Sequence, residues 1–96
     1  MTDMWATVAT LDPATQDRLA NVLETRGADP RQQAMRRAFL ADIAIPSGVR
    51  VLDVGCGTGV LTRALARWPG VGAVVGVDPA TSLLVRARQL AEDQLN

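Results

Sequence analysis

The sequence predicts an α/β protein in which two N-terminal helices precede a strand, a helix, a second strand parallel to the first, and a last helix. Within the first 48 positions, apolar residues recur at the spacing of a helix in two stretches. From residue 49 onward, short β-branched runs alternate with stretches of helical spacing. Only two such runs occur among the 96 residues, so the sheet is expected to be incomplete. We divide the chain into a helical segment, residues 1–48, and the first half of an α/β domain, residues 49–96.

Both N-terminal helices are predicted from an acidic cap followed by proline, at residues 12–13 and 29–30. The first helix should run over residues 13–26 and stop at Gly27. Its narrow apolar stripe is Leu19, Val22 and Leu23. The second helix should run to about the turn cluster at residues 46–48, and its apolar side is Met35, Ala38, Phe39 and Ile43. We expect Phe39 and Trp68 in the core.

The second segment alternates between strand and helix. Residues 49–54 and 73–77 are predicted strands, because both runs are short and apolar. Residues 60–68 form the helix between them, and a last helix runs from about residue 81 to the end of the sequence. This order implies parallel pairing through a right-handed crossover.

Composition excludes several classes of function. The net charge is zero with no basic block, so no nucleic-acid partner is expected. The chain has one cysteine and no histidine, which leaves no plausible metal site and favours a reducing, cytoplasmic setting. No apolar stretch approaches the roughly 20 residues of a membrane span, so we expect a soluble protein.

The most informative stretch is residues 53–59, which read acid-x-Gly-x-Gly-x-Gly at a predicted strand exit. Glycine allows the backbone to approach a ligand there closely. The dinucleotide pattern G-x-G-x-x-G fails, because its third glycine falls on Val60 or Thr62. Asp78 follows the second strand, where its carboxylate could accept hydrogen bonds from the two hydroxyls of a ribose.

These residues resemble motif I of the class I S-adenosylmethionine-dependent methyltransferases, which have a Rossmann-like fold. The resemblance covers roughly residues 28–92. Within the family, these residues look like the small-molecule, ubiquinone/menaquinone-type branch. It implies that the cofactor is S-adenosylmethionine and that the glycines line its methionine and ribose portion. It also implies that Asp78 binds the ribose, and that Asp53 either orients the loop or faces the cofactor's amino group. The implied cofactor-binding residues are Asp53, Gly55, Cys56, Gly57, Gly59, Asp78 and Pro79.

Plainer interpretations of the same residues stay open. Asp53 could only cap the turn, Asp78 could only cap the helix that follows Pro79, and Cys56 is foremost a small loop residue without redox or nucleophilic function. Met4 and Trp5 would either contact the acceptor substrate or pack the chain end against the body. The chain has no His, Tyr or Lys, and no catalytic residue is assigned.

The resemblance accounts for two of the family's seven strands and implies that residues 51–54 expose an unpaired edge, which a partner chain or second copy would cover. Three hypotheses follow. The chain is a portion of a small-molecule methyltransferase, inactive without further strands; or it is a non-catalytic module that pairs with a partner chain; or it is half of a nicotinamide- or flavin-binding domain.

Overall fold

The computed structural model describes residues 8–95 and confirms the predicted α/β class with two parallel strands. A short 3-10 turn, Val8–Thr10, comes first. The elements that follow are α1 (Pro13–Ala28), α2 (Pro30–Ala41), β1 (Val49–Val54), α3 (Val60–Ala66), β2 (Val71–Val77) and α4 (Thr81–Leu95).

The two Asp-Pro pairs begin α1 and α2 as predicted. The Asp12 carboxylate accepts a hydrogen bond from the Thr15 amide at 2.9 Å, and the Asp29 carboxylate accepts one from the Arg31 amide at 2.8 Å. Each satisfies an amide that has no partner within its own helix. Asp29 also ends α1, since its own amide donates to the Arg26 carbonyl at 3.2 Å. One residue therefore sets the bend between the two helices.

Gly27 was wrongly predicted to stop α1. The helix continues through it to Ala28 and is capped at Asp29, and the glycine instead allows a contact between helices. A Cβ atom at Gly27 would lie 2.6 Å from a methyl group of Val60 at the start of α3. The missing side chain lets α1 and α3 approach closely at this point.

The predicted apolar side of α2 is wrong as well. Met35 and Phe39 are each 61% exposed, Ile43 is exposed, and the helix ends at Ala41 rather than near the turn cluster at residues 46–48. The buried side chain of α2 is that of Leu40, one position along the helix from Phe39. The helical period alone could not show which side of a helix with apolar residues on several sides packs against the rest of the protein. Trp68, also expected in the core, is half-buried.

The sheet consists of β1 and β2 in parallel, with Leu52 opposite Val75 and Val54 opposite Val77. Helix α3 covers one face: Thr62 approaches Gly76, and its hydroxyl donates to Asp53 on β1. On the other face four apolar side chains are exposed in the described structure, namely Leu52 (62%), Val54 (75%), Val75 (58%) and Val77 (41%). We call these four residues the bare face.

The main buried cluster joins both parts of the chain. Its members are Val8, Leu19, Ala20, Ala80 and Leu83, with Leu11 and Leu23 packed against them. Helix α1 thus packs against the start of α4 and lies beside the loop between β1 and α3. The division of the chain at residue 48 stays a prediction, but the two segments share this core.

Candidate functional site

The loop that follows β1 has the backbone that its glycines predict. Gly55, Gly57 and Gly59 have φ angles of 73°, 56° and 84°, in the left-handed region that residues with side chains rarely adopt. The amides of Gly55 and Cys56 both donate to the carbonyl of Val77, at 2.8 and 3.0 Å. The glycine loop, residues 55–59, is therefore attached to the end of the neighbouring strand.

Asp78 extends this connection through its side chain. One carboxylate oxygen accepts from the Gly57 amide at 3.0 Å, and the other accepts from the Ala80 amide at 2.8 Å. The two strand exits consequently meet at the same end of the sheet. A carboxylate has about four acceptor positions, so Asp78 keeps capacity for two further hydrogen bonds.

An open cleft of about 510 Å³ lies beside these strand exits. Its volume falls within the range of small-molecule sites, about 300–1,000 Å³. Five of the predicted site residues line it: Gly55, Cys56, Gly57, Asp78 and Pro79. Further lining comes from the N-terminal part of the chain and includes Val8, Leu23, Arg26, Gln32 and Arg36.

Among the three glycines of the loop, Gly55 is the one whose surroundings are open. A Cβ atom built on it would have no neighbour within 4 Å, whereas one on Gly57 would lie 3.2 Å from a Leu23 methyl group. Leu23 thus packs against the inner side of the loop from α1.

Two other predicted residues lie outside the lining of this cleft. Gly59 begins α3, and a Cβ there would lie 3.3 Å from the Cβ of Ala87 on α4. The Asp53 carboxylate accepts a hydrogen bond from the Thr62 hydroxyl at 2.7 Å, which connects the end of β1 to α3. Both residues contact the helices that support the loop.

Cys56 is half-buried at the cleft. Burial raises the pKa of its thiol, and the nearby charges of Asp53 and Asp78 raise this pKa further. A thiol with a raised pKa is mostly protonated at neutral pH and is a poor nucleophile. The electrostatics therefore agree with the interpretation of Cys56 as a small, packed loop residue.

Sequence reasoning missed a polar cluster behind the loop. Thr58 is buried, its hydroxyl donates to the Glu24 carboxylate at 2.5 Å, and Arg63 forms a 2.7 Å ion pair with the same carboxylate. Glu24 stands 34 positions before Thr58, so no local pattern could reveal the contact. The one weak signal is an arginine among the apolar residues of a short helix. Met4 and Trp5, expected near the acceptor, lie outside the described residues.

The fold and the site define an α/β domain of the kind that binds a nucleoside-containing cofactor. A glycine loop and an acidic side chain meet at the carboxyl ends of adjacent parallel strands, where open α/β sheets bind such ligands. Comparison with known proteins makes this class more specific.

The family described as "Methyltransferase domain" matches residues 51–96. A malonyl-[acyl-carrier protein] O-methyltransferase of Magnetococcus marinus is 44% identical over 55 residues, which is 56% of the chain and 20% of the relative. A ubiquinone biosynthesis O-methyltransferase of Azorhizobium caulinodans is 32% identical over 106 aligned positions, covering 88% of the chain and 40% of the relative. A probable protein arginine N-methyltransferase 3 of Oryza sativa subsp. japonica is 36% identical over 69 residues, 72% of the chain and 11% of the relative.

Through residues 51–96 the chain belongs to the class I S-adenosylmethionine-dependent methyltransferases, of which it contains an N-terminal portion. The matches span between 11% and 40% of the length of these three relatives. No solved structure gives a significant match. Among the described residues, no helix is both long and apolar enough to cross a bilayer.

Proposed function

We propose that the chain is the S-adenosylmethionine-binding portion of a methyltransferase that acts on a small-molecule acceptor. The observation that supports this most is the junction of the two strand exits, where the Asp78 carboxylate accepts from the Gly57 amide beside an open cleft. Relatives named for ubiquinone biosynthesis support a small acceptor, whereas the Oryza sativa relative is named for protein arginine. A cytoplasmic setting, from the single cysteine, is part of the proposal.

Within this proposal the residues have distinct functions. The open side of Gly55 admits the methionine and ribose portion of the cofactor, and the remaining acceptor positions of Asp78 bind the ribose hydroxyls. Cys56, Gly57 and Pro79 form the adjacent wall. Asp53 and Gly59 act behind the loop, where Asp53 orients it through Thr62.

Methyl transfer from the cofactor is an in-line displacement at an electrophilic methyl group. The protein contributes alignment, exclusion of water and, for some acceptors, a base. We assign no catalytic residue, because Asp53 and Asp78, the carboxylates at the strand exits, both have hydrogen-bonding functions at the loop. Activity is proposed to require strands beyond the two present in the described residues.

A second candidate is a non-catalytic module that pairs with a partner chain. The bare face and the unpaired edge of β1 in the described structure favour it. A nicotinamide or flavin site is the least supported, because the third dinucleotide glycine is replaced by Val60.

A titration followed by NMR tests the proposal. Adding S-adenosylmethionine or S-adenosylhomocysteine to the labelled chain should shift the Gly55, Gly57 and Ala80 amides, while NAD should not. We expect a dissociation constant no better than about millimolar, since the adenine wall that the family builds on its third strand is not among the described elements. Micromolar binding by a monomer would contradict the expected weak affinity, and a preference for NAD would contradict the proposed function.

The same titration tests the ribose contact. Asp78→Ala should weaken binding about tenfold or more, because it removes charged hydrogen-bond acceptors, whereas Cys56→Ala should change it less than twofold. The initial slope of amide shift against cofactor concentration gives the ratio of affinities. Equal losses in the two variants would mean that the ribose contact is misassigned.

A further inference from the structure

A partly buried ion pair lies behind the glycine loop and joins α1 to α3. The Arg63 guanidinium donates to the Glu24 carboxylate at 2.7 Å, and the two side chains are 8% and 22% exposed. Neither residue lines the cleft beside Gly55. The pair therefore has no direct contact with a ligand in that cleft.

Both members of the pair also bind Thr58, which lies between Gly57 and Gly59 in the glycine loop. The Thr58 hydroxyl donates to the second oxygen of Glu24 at 2.5 Å, and its carbonyl accepts from Arg63 at 2.7 Å. The hydroxyl and the carbonyl of this residue thus both have partners in the pair. With Thr58 only 1% exposed, water cannot readily replace them.

These contacts fix the loop at a second point, separate from the contact with Asp78. Thr58 lies between Gly57 and Gly59, two residues whose left-handed backbone has wide conformational freedom in the absence of side chains. Asp78 holds the Gly57 amide, and Arg63 holds the carbonyl of the peptide between Thr58 and Gly59. Leu23, the residue before Glu24, packs against Gly57.

Stability alone is a weak explanation for this pair. Removing two charges from water costs several kcal/mol per ion, and apolar residues of similar volume usually stabilise a fold as well or better. A polar pair with directional hydrogen bonds does, however, specify one geometry.

We infer that Glu24 and Arg63 are positioning residues, which hold the glycine loop through Thr58 in the conformation that receives the cofactor. Helix α1 is then part of the cofactor site, although it precedes residues 51–96, which match the family described as "Methyltransferase domain". The inference rests on the proposed function for the identity of the cofactor, but not for the order of the loop.

The test replaces the pair by apolar residues of similar volume, in the variant Glu24→Leu/Arg63→Met. We expect this variant to stay folded by circular dichroism. In the ligand-free chain, its Gly57 and Gly59 amides should exchange with deuterium at least tenfold faster, while amides within β1 keep their rates. The shift slope with S-adenosylhomocysteine should fall at least fivefold.

The matched control is Asn21→Leu/Arg86→Met, which removes a 3.0 Å hydrogen bond between α1 and α4 away from the loop. Loop exchange and the slope should match those of the unsubstituted chain. If the double variant at Glu24 and Arg63 does not fold, the variants Thr58→Val and Thr58→Ser test the positioning instead. Valine lacks the hydroxyl and should lower the slope and speed exchange, whereas serine retains it and should restore both.

The outcomes separate the two proposals. If the unsubstituted chain shows no shifts with S-adenosylhomocysteine, the proposed function fails, and loop exchange alone decides the positioning. If the folded Glu24→Leu/Arg63→Met variant has unchanged loop exchange and an unchanged slope, or if Thr58→Val behaves like Thr58→Ser, the inference is overturned.

Discussion

The three glycines of the loop all have positive φ angles but have different surroundings. Gly55 faces open space, Gly57 backs onto Leu23, and Gly59 packs against Ala87. Only the first is free of neighbours, so a side chain there would meet no other atoms of the fold, and its cost would come from the left-handed backbone alone. The repeat acid-x-Gly-x-Gly-x-Gly thus combines one residue open to a ligand with two that allow close packing.

Cys56 gives the clearest pH dependence at the scale of a residue. Because its folded-state pKa is raised, the folded chain holds the thiol proton more tightly than the unfolded chain does. This group therefore stabilises the fold below the ordinary thiol pKa. The contribution is lost as the pH rises through the raised value.

We predict that iodoacetamide alkylates Cys56 more slowly in the folded chain than in urea at about pH 8.5, where an ordinary thiol is half ionised. The rate in the folded chain should reach its plateau at a higher pH. Asp53→Asn should move that midpoint down in part, since burial is the larger cause and remains. Identical rate profiles for the folded and unfolded chains would contradict the raised pKa.

At the scale of elements, local chemistry was enough to predict where α1 and α2 begin. An aspartate followed by proline satisfies a free amide and presets the backbone, and both effects act within four residues. The predicted end of α1 at Gly27 was wrong. This glycine instead allows close contact with Val60 on another helix. Tertiary packing overrode a rule based on neighbours in sequence.

The candidate site also contains parts that the sequence could predict and parts that it could not. The loop and Asp78 follow strands directly and could be located from the sequence. The cleft wall from α1 and the contact of Glu24 with Thr58 could not, because they depend on how a preceding helix docks. Strand exits follow from chain order, whereas helix docking depends on side-chain shape.

Two adjacent residues of α2 test the corrected core. Leu40 is 4% exposed, so Leu40→Ala should lower the free energy of unfolding by about 2–3 kcal/mol. Phe39→Ala should change it by about 0.5 kcal/mol or less, since that side chain is mostly exposed. Urea unfolding followed by circular dichroism measures both. Comparable losses would show that Phe39 is packed in solution.

For the molecule as a whole, the sheet has two different faces. Helix α3 covers one, but the bare face presents four adjacent apolar side chains in two register pairs. An apolar groove of about 360 Å³ adjoins the unpaired edge of β1 and is lined by Phe39 and Ile43 among others. Contiguous apolar surface of this kind favours association.

We therefore predict that the chain self-associates reversibly at high concentration and that Val54→Thr/Val75→Thr weakens this association about tenfold. Each change replaces a methyl group by a hydroxyl of nearly the same size, so it lowers the gain from burying the bare face and leaves the strand's shape intact. Val85→Thr, on an exposed position of α4, is the matched control and should leave the association constant unchanged. Sedimentation velocity over a concentration series measures all three. If the control weakens association as much as the double variant does, the contact lies elsewhere than on the bare face.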